Sequence, residues 1–391
     1  MKYRLLILAV LFILSTGVGS IPDPSPQYGC ETEAYPPLEQ FKLPWFQIDL
    51  DASPRTRWTE IITTYKDPIN DLVDQLLHLL NLVDPSGTIL KIIDDVLPTL
   101  VLKFPKEYRE EIEGISEVSG VKLGRVVVYN IFYELFSVCT SIVAQNSQTG
   151  EHFHARNLDF GLFMGWDLEN HTWTVSEILR RMEYNVEFVR GGQGVFNMSS
   201  FAGYVGTLNG VKAGQFSLSL NERFVLEGGF VGLFEWIVKH EDLYFPTWLA
   251  RDILTGNYTY QQALDTLSTR AILAPCYYIV SGVGHNEGWI ITRGLNESLY
   301  PLQLDQEGGR WYLLETNYDH WKKPFILDNR RTPGEKCMNE SSADTISKEH
   351  IFNVLSSDPV LNQLTVFTTM MNPQTGEMES YRQYCPTCYI W

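Results

Sequence analysis

This 391-residue sequence lacks the motifs of several large enzyme classes. It has no Gly-x-Ser-x-Gly elbow, no His-Glu-x-x-His zinc motif, no phosphate-binding Gly-x-x-x-x-Gly-Lys loop and no dinucleotide fingerprint. The glycine-rich segment 191–194 has no strand–helix context, so we interpret it as a turn. These absences argue against serine α/β-hydrolase, metalloprotease, nucleotide-binding and NAD-dependent chemistry. We therefore expect a site that uses no metal and no cofactor.

Basic side chains are in the minority. The 47 Asp and Glu residues outnumber the 30 Lys and Arg residues, which gives a formal net charge of −17. Because this charge repels polyphosphate, nucleic acid is not an expected partner. The sequence pI of about 4.9 brings the protein close to neutrality in an acidic compartment. The 44% of hydrophobic residues suffice for a full core and exclude wholesale disorder.

Long apolar runs are confined to the first twenty residues. Leu5 to Leu14 is almost continuously apolar, follows Lys2 and Arg4, and precedes a run of small residues. This run is too short to span a bilayer of about 30 Å as a helix, so we predict a secretory signal peptide over residues 1–20. No later segment has roughly 18 uninterrupted apolar residues, and a soluble mature protein is expected.

The secretory route predicts disulfides and glycans. Six cysteines are present, and an oxidising compartment favours their pairing. Cys385 and Cys388 form a lone CxxC without a second pair of ligands, which favours a local disulfide over a zinc site. The pattern Asn-x-Ser/Thr predicts exposed, glycosylated loops at Asn170, Asn197, Asn257, Asn296 and Asn339.

Hydrophobic periodicity divides the chain into a helical and a β-rich part. A period of two predicts a strand over 45–51, and helical spacing continues from about Trp58 to Tyr133. After residue 138, strands are predicted over 140–144, 152–156, 216–220, 276–280, 289–292, 311–316 and 364–370, with hairpin turns at 209–210 and 285–288. Helices are predicted over 230–240, 260–267 and 347–355. Sheets flanked by amphipathic helices indicate an α+β domain.

Cys139 and its surroundings are the strongest candidate site, and matching motifs extend along the chain. These motifs are Asn130–Phe136, Cys139–Ala144, Arg156–Gly161, Phe201–Gly206, Leu220–Phe224, Thr316–Trp321, Arg330–Pro333 and the terminal Cys-Pro-Thr-Cys. With them the sequence resembles the choloylglycine-hydrolase and acid-ceramidase superfamily of N-terminal-nucleophile amidases, and within it the acid ceramidase family. The resemblance implies a four-layer αββα sandwich over a catalytic β-chain, residues 139–391, preceded by a helical α-chain, residues 21–138.

The resemblance also implies self-cleavage between Val138 and Cys139. The thiol would attack the Val138 carbonyl, and water would then release Cys139 as a new N-terminus. The thiolate of such a residue is the nucleophile, and its α-amine moves the proton.

Further site residues follow from the same resemblance. Arg156 would favour the thiolate and disfavour the ammonium. Asp159 would orient the amine, Asn221 and Asn317 would stabilise the oxyanion, and Arg330 would hold the polar network together.

The disulfide pattern depends on the predicted cut. The α-chain keeps Cys30 alone, so only a β-chain cysteine can tether it. The resemblance implies that this partner is Cys337, with Cys385 and Cys388 paired locally. No role is implied for Cys276.

The resemblance implies that the substrate is ceramide, cleaved to sphingosine and a fatty acid in the lysosome, with some secretion. Anionic membrane surfaces and saposin-type activators are the implied partners. The alternative within the superfamily is N-acylethanolamine acid amidase; the sequence around Asn221 and the terminal cysteine pair favour ceramidase. A secreted glycoprotein that binds lipid without cleaving it is the non-enzymatic alternative.

Each candidate residue also has an ordinary structural interpretation. Cys139 could be a buried thiol or pair with Cys276. Arg156 and Asp159 could form a surface ion pair, as such residues usually do. The two asparagines could be turn formers, and residues 330–331 could be a solvated basic pair.

Overall fold

The computed structural model describes residues 29–132, 137–160, 165–167, 169, 172–225 and 244–388. The predicted signal peptide, the predicted helix at 230–240 and the sequon at Asn170 lie outside these ranges. None of the helices in the described residues combines the length and apolar character that crossing a bilayer would require.

The N-terminal part is helical, as its periodicity predicts. Strand β1 spans Trp45–Asp49, and the helices that follow are α1 Thr59–Thr64, α2 Lys66–Val83, α3 Thr88–Lys91, α4 Leu97–Leu100, α5 Lys106–Ser119 and α6 Leu123–Phe132. A π-helical turn, Ile92–Val96, joins α3 to α4. Ile93 and Leu97 beside this turn are buried, whereas Ile89, Ile92 and Val96 remain exposed. The apolar residues in this part of the predicted helical stretch are thus only partly buried, because the π turn interrupts the regular helical period.

The C-terminal part contains the two sheets that hold the site. Its strands are β2 Ser137–Gln145, β3 His152–Phe160, β4 Trp166–Asp167, β5 Thr172–Trp173, β6 Glu183–Arg190, β7 Gln193–Phe201, β8 Asn209–Lys212, β9 Phe216–Glu222, β10 Cys276–Ser281, β11 Gly288–Arg293, β12 Ser298–Gln303, β13 Tyr312–Glu315, β14 Thr365–Met371 and β15 Met378–Arg382. Its helices are α7 Thr174–Arg180, α8 Pro246–Thr255, α9 Tyr260–Thr269, α10 Arg331–Met338 and α11 Lys348–Leu355.

The two sheets stack face to face with helices outside. One sheet has the order β1-β6-β7-β8-β9-β10-β11-β12, and the other has the order β13-β2-β3-β14-β15. Strand β2 contacts β9 and β10 across the interface between the sheets. Helices α10 and α11 cover the smaller sheet, while α8 and α9 cover the larger one. This arrangement is the predicted αββα sandwich, so the fold prediction is confirmed.

Most local predictions after residue 138 are confirmed, but one turn is wrong. Each of the seven predicted strands overlaps an observed strand, and Thr259 forms a capping box with Gln262 at the start of α9. Asn209 and Gly210, predicted as a hairpin turn, belong to β8 instead. A Cβ atom at Gly210 would lie 2.7 Å from Leu254 Cδ1. The glycine therefore allows α8 to pack closely on the sheet and does not make a turn.

A buried cluster joins the predicted α-chain to the predicted β-chain. Arg251 on α8 pairs through both terminal nitrogens with Glu111 on α5, and both side chains are buried. Beside them, the rings of Tyr108 and Trp248 stack with centroids 4.5 Å apart and planes 5° apart. The disulfide Cys30–Cys337 adds a covalent link between the same two parts.

Candidate active site

Cys139 lies on a central strand of the smaller sheet. Strand β2 runs between β13 and β3, and the Cys139 side chain is fully buried. Cys139 is paired with Leu158, and Val138 is paired with Asp159. Because side chains alternate along a strand, Arg156 lies on the same face of the sheet as Cys139. The β2–β3 pairing therefore places Cys139 and Arg156 together on one face, while Asp159, opposite Val138, lies on the other face.

Arg156 contacts the sulfur of Cys139. Its Nη2 lies 2.6 Å from Cys139 Sγ, and its Nη1 donates to the carbonyl oxygen of Leu208 at 2.7 Å. Burial raises the pKa of the Cys139 thiol to about 11, although the positive charge of Arg156 acts in the opposite direction. In the uncut chain the thiol is therefore neutral, because the cost of burying a thiolate exceeds the attraction of the guanidinium.

Asn317 contacts the backbone nitrogen of Cys139. The Cys139 N–H donates to Asn317 Oδ1 at 2.9 Å, and Asn317 Nδ2 donates to the carbonyl oxygen of Glu222 at 2.8 Å. The amide thus presents its oxygen to the nitrogen that self-cleavage would convert into an α-amine. An oxyanion would need the amide N–H instead, so the predicted oxyanion role of Asn317 stays a prediction.

Arg330 connects the remaining polar groups of the site. Its Nη1 donates to the carbonyl oxygen of Cys139 at 2.5 Å and lies 3.4 Å from Asp159 Oδ2. Its Nη2 donates to Asn317 Oδ1 at 2.7 Å, and its Nε donates to Asp328 Oδ1 at 2.8 Å. Asp328 and Asp159 together compensate the buried positive charge and raise the pKa of Arg330.

Asp159 is fully buried on the strand next to Cys139. Burial raises the pKa of its carboxyl to about 6, while Arg330 and two hydrogen bonds lower it. These bonds come from Thr365 Oγ1, 2.6 Å from Oδ1, and from Asn362 Nδ2, 3.3 Å from Oδ2. Neither partner was found by sequence reasoning, because a single Asn and a single Thr at the start of a predicted strand form no motif.

Asn221 lies close to the site but is not aimed at the sulfur. Its Nδ2 donates to the carbonyl oxygens of Glu315 and Thr316, both at 3.0 Å. Its Oδ1 accepts from Ser141 Oγ at 2.8 Å, two residues along β2 from Cys139. Both amide hydrogens are thus donated to backbone oxygens in the uncut chain. The oxyanion role of Asn221 also stays a prediction.

Burial excludes the surface interpretations of the charged residues, and no disulfide joins Cys139 to Cys276. Arg156, Asp159 and Arg330 are fully buried, so they form neither a surface ion pair nor a solvated basic pair. Cys139 and Cys276 are both buried and belong to neither disulfide. The disulfides that do form, Cys30–Cys337 and Cys385–Cys388, are those that the resemblance implies.

The sequons differ in their surroundings. Asn257, Asn296 and Asn339 are exposed. Asn197 is half-buried within β7, and its Nδ2 donates to the carbonyl oxygen of Gly376 at 3.2 Å. The expectation of an exposed loop is therefore wrong at Asn197.

Two protein families match separate segments of this chain. Residues 139–325 match the linear amide C–N hydrolases of the choloylglycine hydrolase family, and the match begins at Cys139. Residues 41–104 match the beta subunit of N-acylethanolamine-hydrolyzing acid amidase.

Individual relatives resemble nearly the whole chain. The acid ceramidase of Pan troglodytes is 44% identical over 366 residues, which make up 93% of this chain and 92% of that protein. The acid ceramidase of Homo sapiens is 43% identical over the same shares. The structure of the Caenorhabditis elegans ortholog of N-acylethanolamine-hydrolyzing acid amidase is similar with a TM-score of 0.52 and 33% identity, covering 63% of this chain and all of that one.

The stacked sheets and the buried Cys139 define a linear-amide hydrolase of the N-terminal-nucleophile class. Identity above 40% along almost the whole sequence narrows this class to a single family. The chain belongs to the acid ceramidase family.

Proposed function

We propose that this protein cuts itself between Val138 and Cys139 and then hydrolyses the amide bond of ceramide to sphingosine and a fatty acid. One observation supports this proposal above all. The sulfur of Cys139 contacts Arg156, while its nitrogen contacts Asn317. A residue that serves as both nucleophile and base needs separate partners for these two atoms.

In the self-cleavage step, Cys139 Sγ attacks the carbonyl carbon of Val138. A thioester forms as the peptide C–N bond breaks, and the thiol proton moves to the departing nitrogen. Water then hydrolyses the thioester, which leaves the Val138 carboxylate and a free Cys139 with its α-amine. Asn317 Oδ1 and the Cys139 N–H already form a hydrogen bond in the uncut chain, so the new amine has an acceptor at once.

In the hydrolysis step, the thiolate attacks the amide carbon of the lipid. The α-amine accepts the thiol proton and passes it to the amine of the departing sphingosine, which leaves an acyl-thioester on Cys139. Water releases the fatty acid and regenerates the thiol. In this scheme Arg156 stabilises the thiolate, Asp159 orients the α-amine and Arg330 fixes the backbone of Cys139.

Self-cleavage gives the decisive experiment. Purified protein held at about pH 5, where ordinary imidazoles are protonated and ordinary carboxylates are mostly ionised, should yield fragments 21–138 and 139–391. Cys139→Ala should abolish both the cut and the release of fatty acid from ceramide. A protein that binds lipid without cleaving it would remain uncut and would retain ceramide.

N-acylethanolamines are the second candidate substrate. The family match at residues 41–104 and the similarity to the nematode structure favour it. Ceramide is better supported, because 44% identity over 93% of the chain exceeds 33% identity over 63%. Hydrolysis of a ceramide and an N-acylethanolamine with the same acyl chain, each compared as kcat/KM on cut protein, distinguishes the two.

The proposal includes peripheral binding to anionic membranes. Between Asn317 and Arg330, an exposed apolar segment holds Trp321, Phe325, Ile326 and Leu327 beside Lys322 and Lys323. Apolar side chains next to cations suit an anionic lipid surface. Ile326→Ser should weaken binding to vesicles that contain phosphatidylserine, whereas Leu38→Ser, another exposed apolar position, should not. A saposin-type activator, which presents lipid, completes the proposed partners and is tested by adding it to the same assay.

We further propose delivery to the lysosome through the secretory route, with some secretion. The predicted signal peptide, the exposed sequons and the two disulfides support this location. Immunofluorescence of the full chain against a lysosomal marker, with glycopeptide mapping of the same material, tests both location and glycans. Residence in the cytosol would contradict the proposal.

A further inference from the structure

The carboxylate of Asp159 is held from behind by a turn at residues 362–365. Within this turn, Asn362 N donates to Thr365 Oγ1 at 3.1 Å, and Thr365 N donates to the carbonyl oxygen of Asn362 at 3.1 Å. Leu364 N donates to Asn362 Oδ1 at 2.9 Å. Both polar side chains are therefore fixed by their own turn before they contact Asp159.

The turn directs its donors to both oxygens of the carboxylate. The hydroxyl of Thr365 accepts from Asn362 N, so its single hydrogen is available for Asp159 Oδ1, at 2.6 Å. Asn362 uses Oδ1 as an acceptor within the turn and donates through Nδ2 to Asp159 Oδ2, at 3.3 Å. All three side chains are buried, which makes these bonds costly to lose.

Arg180 at the end of α7 anchors the turn. Its Nη2 donates to the carbonyl oxygens of Gln363 at 2.7 Å and Thr365 at 2.8 Å. Its Nη1 pairs with Glu177, and the arginine side chain is almost completely buried. The guanidinium thus fixes the backbone on both sides of Leu364.

We propose that Asn362 and Thr365 are positioning residues for Asp159, which orient its carboxylate and favour its ionised form, and that Arg180 holds the turn in place. This inference rests on the proposed function of the site. The segment 362–365 thus takes part in the reaction through Asp159, although none of the hydrogen bonds described above joins a residue of this segment to Cys139.

Charged and titratable groups from several elements lie around Asp159. Arg330 lies before the first turn of α10, Asp328 precedes it, Cys139 is on β2, and Arg180 lies behind the turn. Burial and Asp328 raise the pKa of Asp159, whereas Arg330 and the two side-chain donors lower it. Loss of one donor should therefore raise this pKa further and leave Asp159 protonated over a wider acidic range.

The test compares Thr365→Val with Thr365→Ser and with Thr368→Val. Valine removes the hydroxyl at nearly the same volume, and serine restores it. Thr368 lies three residues along β14 and makes the same kind of buried bond, to Asn157 Oδ1 on β3 at 2.6 Å. Thr368→Val is thus a matched control for the loss of a buried hydroxyl in this strand.

Rates of self-cleavage and of ceramide hydrolysis are measured against pH, the latter per mole of exposed N-terminal Cys139. In Thr365→Val the acid limb of both profiles should move upward by about one pH unit. Thr365→Ser and Thr368→Val should keep the profile of the unchanged protein. If Thr365→Val does not fold, Asn362→Ala takes its place in the test, and the acid limb of its pH profile should also move to higher pH.

A profile of Thr365→Val or Asn362→Ala that superimposes on that of the unchanged protein would overturn the inference. So would a shift of equal size in Thr368→Val, since this would show a general effect of buried hydroxyls. Failure of the proposed function looks different, because the unchanged protein itself would then release no fatty acid. The profile of self-cleavage needs no lipid and still tests the role of the turn.

Discussion

Arg330 contacts Cys139 through the peptide oxygen and not through the thiol, with Nη1 2.5 Å from the Cys139 carbonyl oxygen. The same guanidinium donates to Asn317 Oδ1, which also accepts the Cys139 N–H. The sulfur instead contacts Arg156. The two arginines thus act on different atoms of one residue, and substitutions of each should have separable effects.

Replacement of Arg330 with Lys should slow self-cleavage by about 100-fold. A lysine keeps the charge but has a single nitrogen in place of the two separate ones with which Arg330 contacts the Cys139 carbonyl and Asn317. Mass spectrometry that follows the fragment beginning at Cys139 measures the rate. Thermal unfolding of the uncut variant serves as the check on folding. Cleavage at the unchanged rate in a folded variant would show that the hydrogen bonds of Arg330 to Cys139 and Asn317 have no part in the reaction.

Asn317→Asp should separate the two reactions. An aspartate keeps an oxygen for the Cys139 nitrogen but loses the N–H that an oxyanion would need. We expect the cut to persist at a reduced rate, and hydrolysis by the cut protein to fall by about 100-fold or more. The measurement is fatty-acid release per mole of cut protein. Equal losses in the two reactions would argue that Asn317 acts only as the acceptor seen in the uncut chain.

Glu315 should make stability depend on pH. Burial raises the pKa of its carboxyl to about 8, although Arg331 lies 3.4 Å away. The folded carboxyl keeps its proton when the unfolded chain has already lost it, at about pH 4.3. The stability that this proton contributes is full below that pH and is lost as the pH rises through about 8.

The corresponding experiment compares Glu315→Gln with its parent, both in the uncut Cys139→Ala background. Denaturant unfolding at about pH 5 and pH 7.5 should show the glutamine variant gaining about 2 to 3 kcal/mol relative to the parent as the pH rises. The paired comparison cancels the titration of other groups. A difference in unfolding free energy that is constant with pH would contradict the raised pKa.

The cut protein should stay assembled after its interchain disulfide is reduced. Arg251 and Glu111 form a buried pair between the two parts, and Tyr108 stacks on Trp248 beside it. Size-exclusion chromatography of cut, reduced protein should show both fragments in one peak. Glu111→Ala leaves Arg251 buried without its main partner, at a cost of about 3 to 5 kcal/mol, and should release the smaller fragment.

The neighbouring Glu110 supplies the control for this last prediction. Its carboxylate is more exposed and lies 3.7 Å from Lys106 in a surface pair. Surface pairs of this kind contribute less than about 1 kcal/mol. Glu110→Ala should therefore behave as the unchanged protein, and separation of the fragments in this variant would point to a general weakness of α5.

Much of the site could be predicted where its residues are close in sequence. Cys139, Arg156 and Asp159 lie on two consecutive strands, and the alternation of those strands is visible in the sequence. Asn317 and Arg330 come from distant segments, so only the family motifs indicated them. Asn362 and Thr365 belong to no motif, and their position depends on the pairing of β14 with β3.

In the fold, too, the features that depend on neighbouring residues could be predicted, whereas those that depend on contacts between distant segments could not. The capping box of Thr259 and Gln262 indicates the start of helix α9, and apolar runs indicate the strands after residue 138. The strand position of Gly210 depends on Leu254 in a helix more than forty residues away, which no local pattern contains. Glycine next to asparagine favours a hairpin only where no partner element needs the space.

The disulfide Cys30–Cys337 ends on α10, the helix that begins directly after Arg330. The segment before Cys139 is therefore linked covalently to the helix that follows Arg330, whose guanidinium contacts the backbone of Cys139. Formation of this disulfide during folding should therefore help to fix the position of Arg330 in the site. In a compartment where thiols stay reduced, this disulfide would not form, and the helix after Arg330 would lose its covalent link to the N-terminal part. We therefore expect activity to depend on the redox state of the compartment.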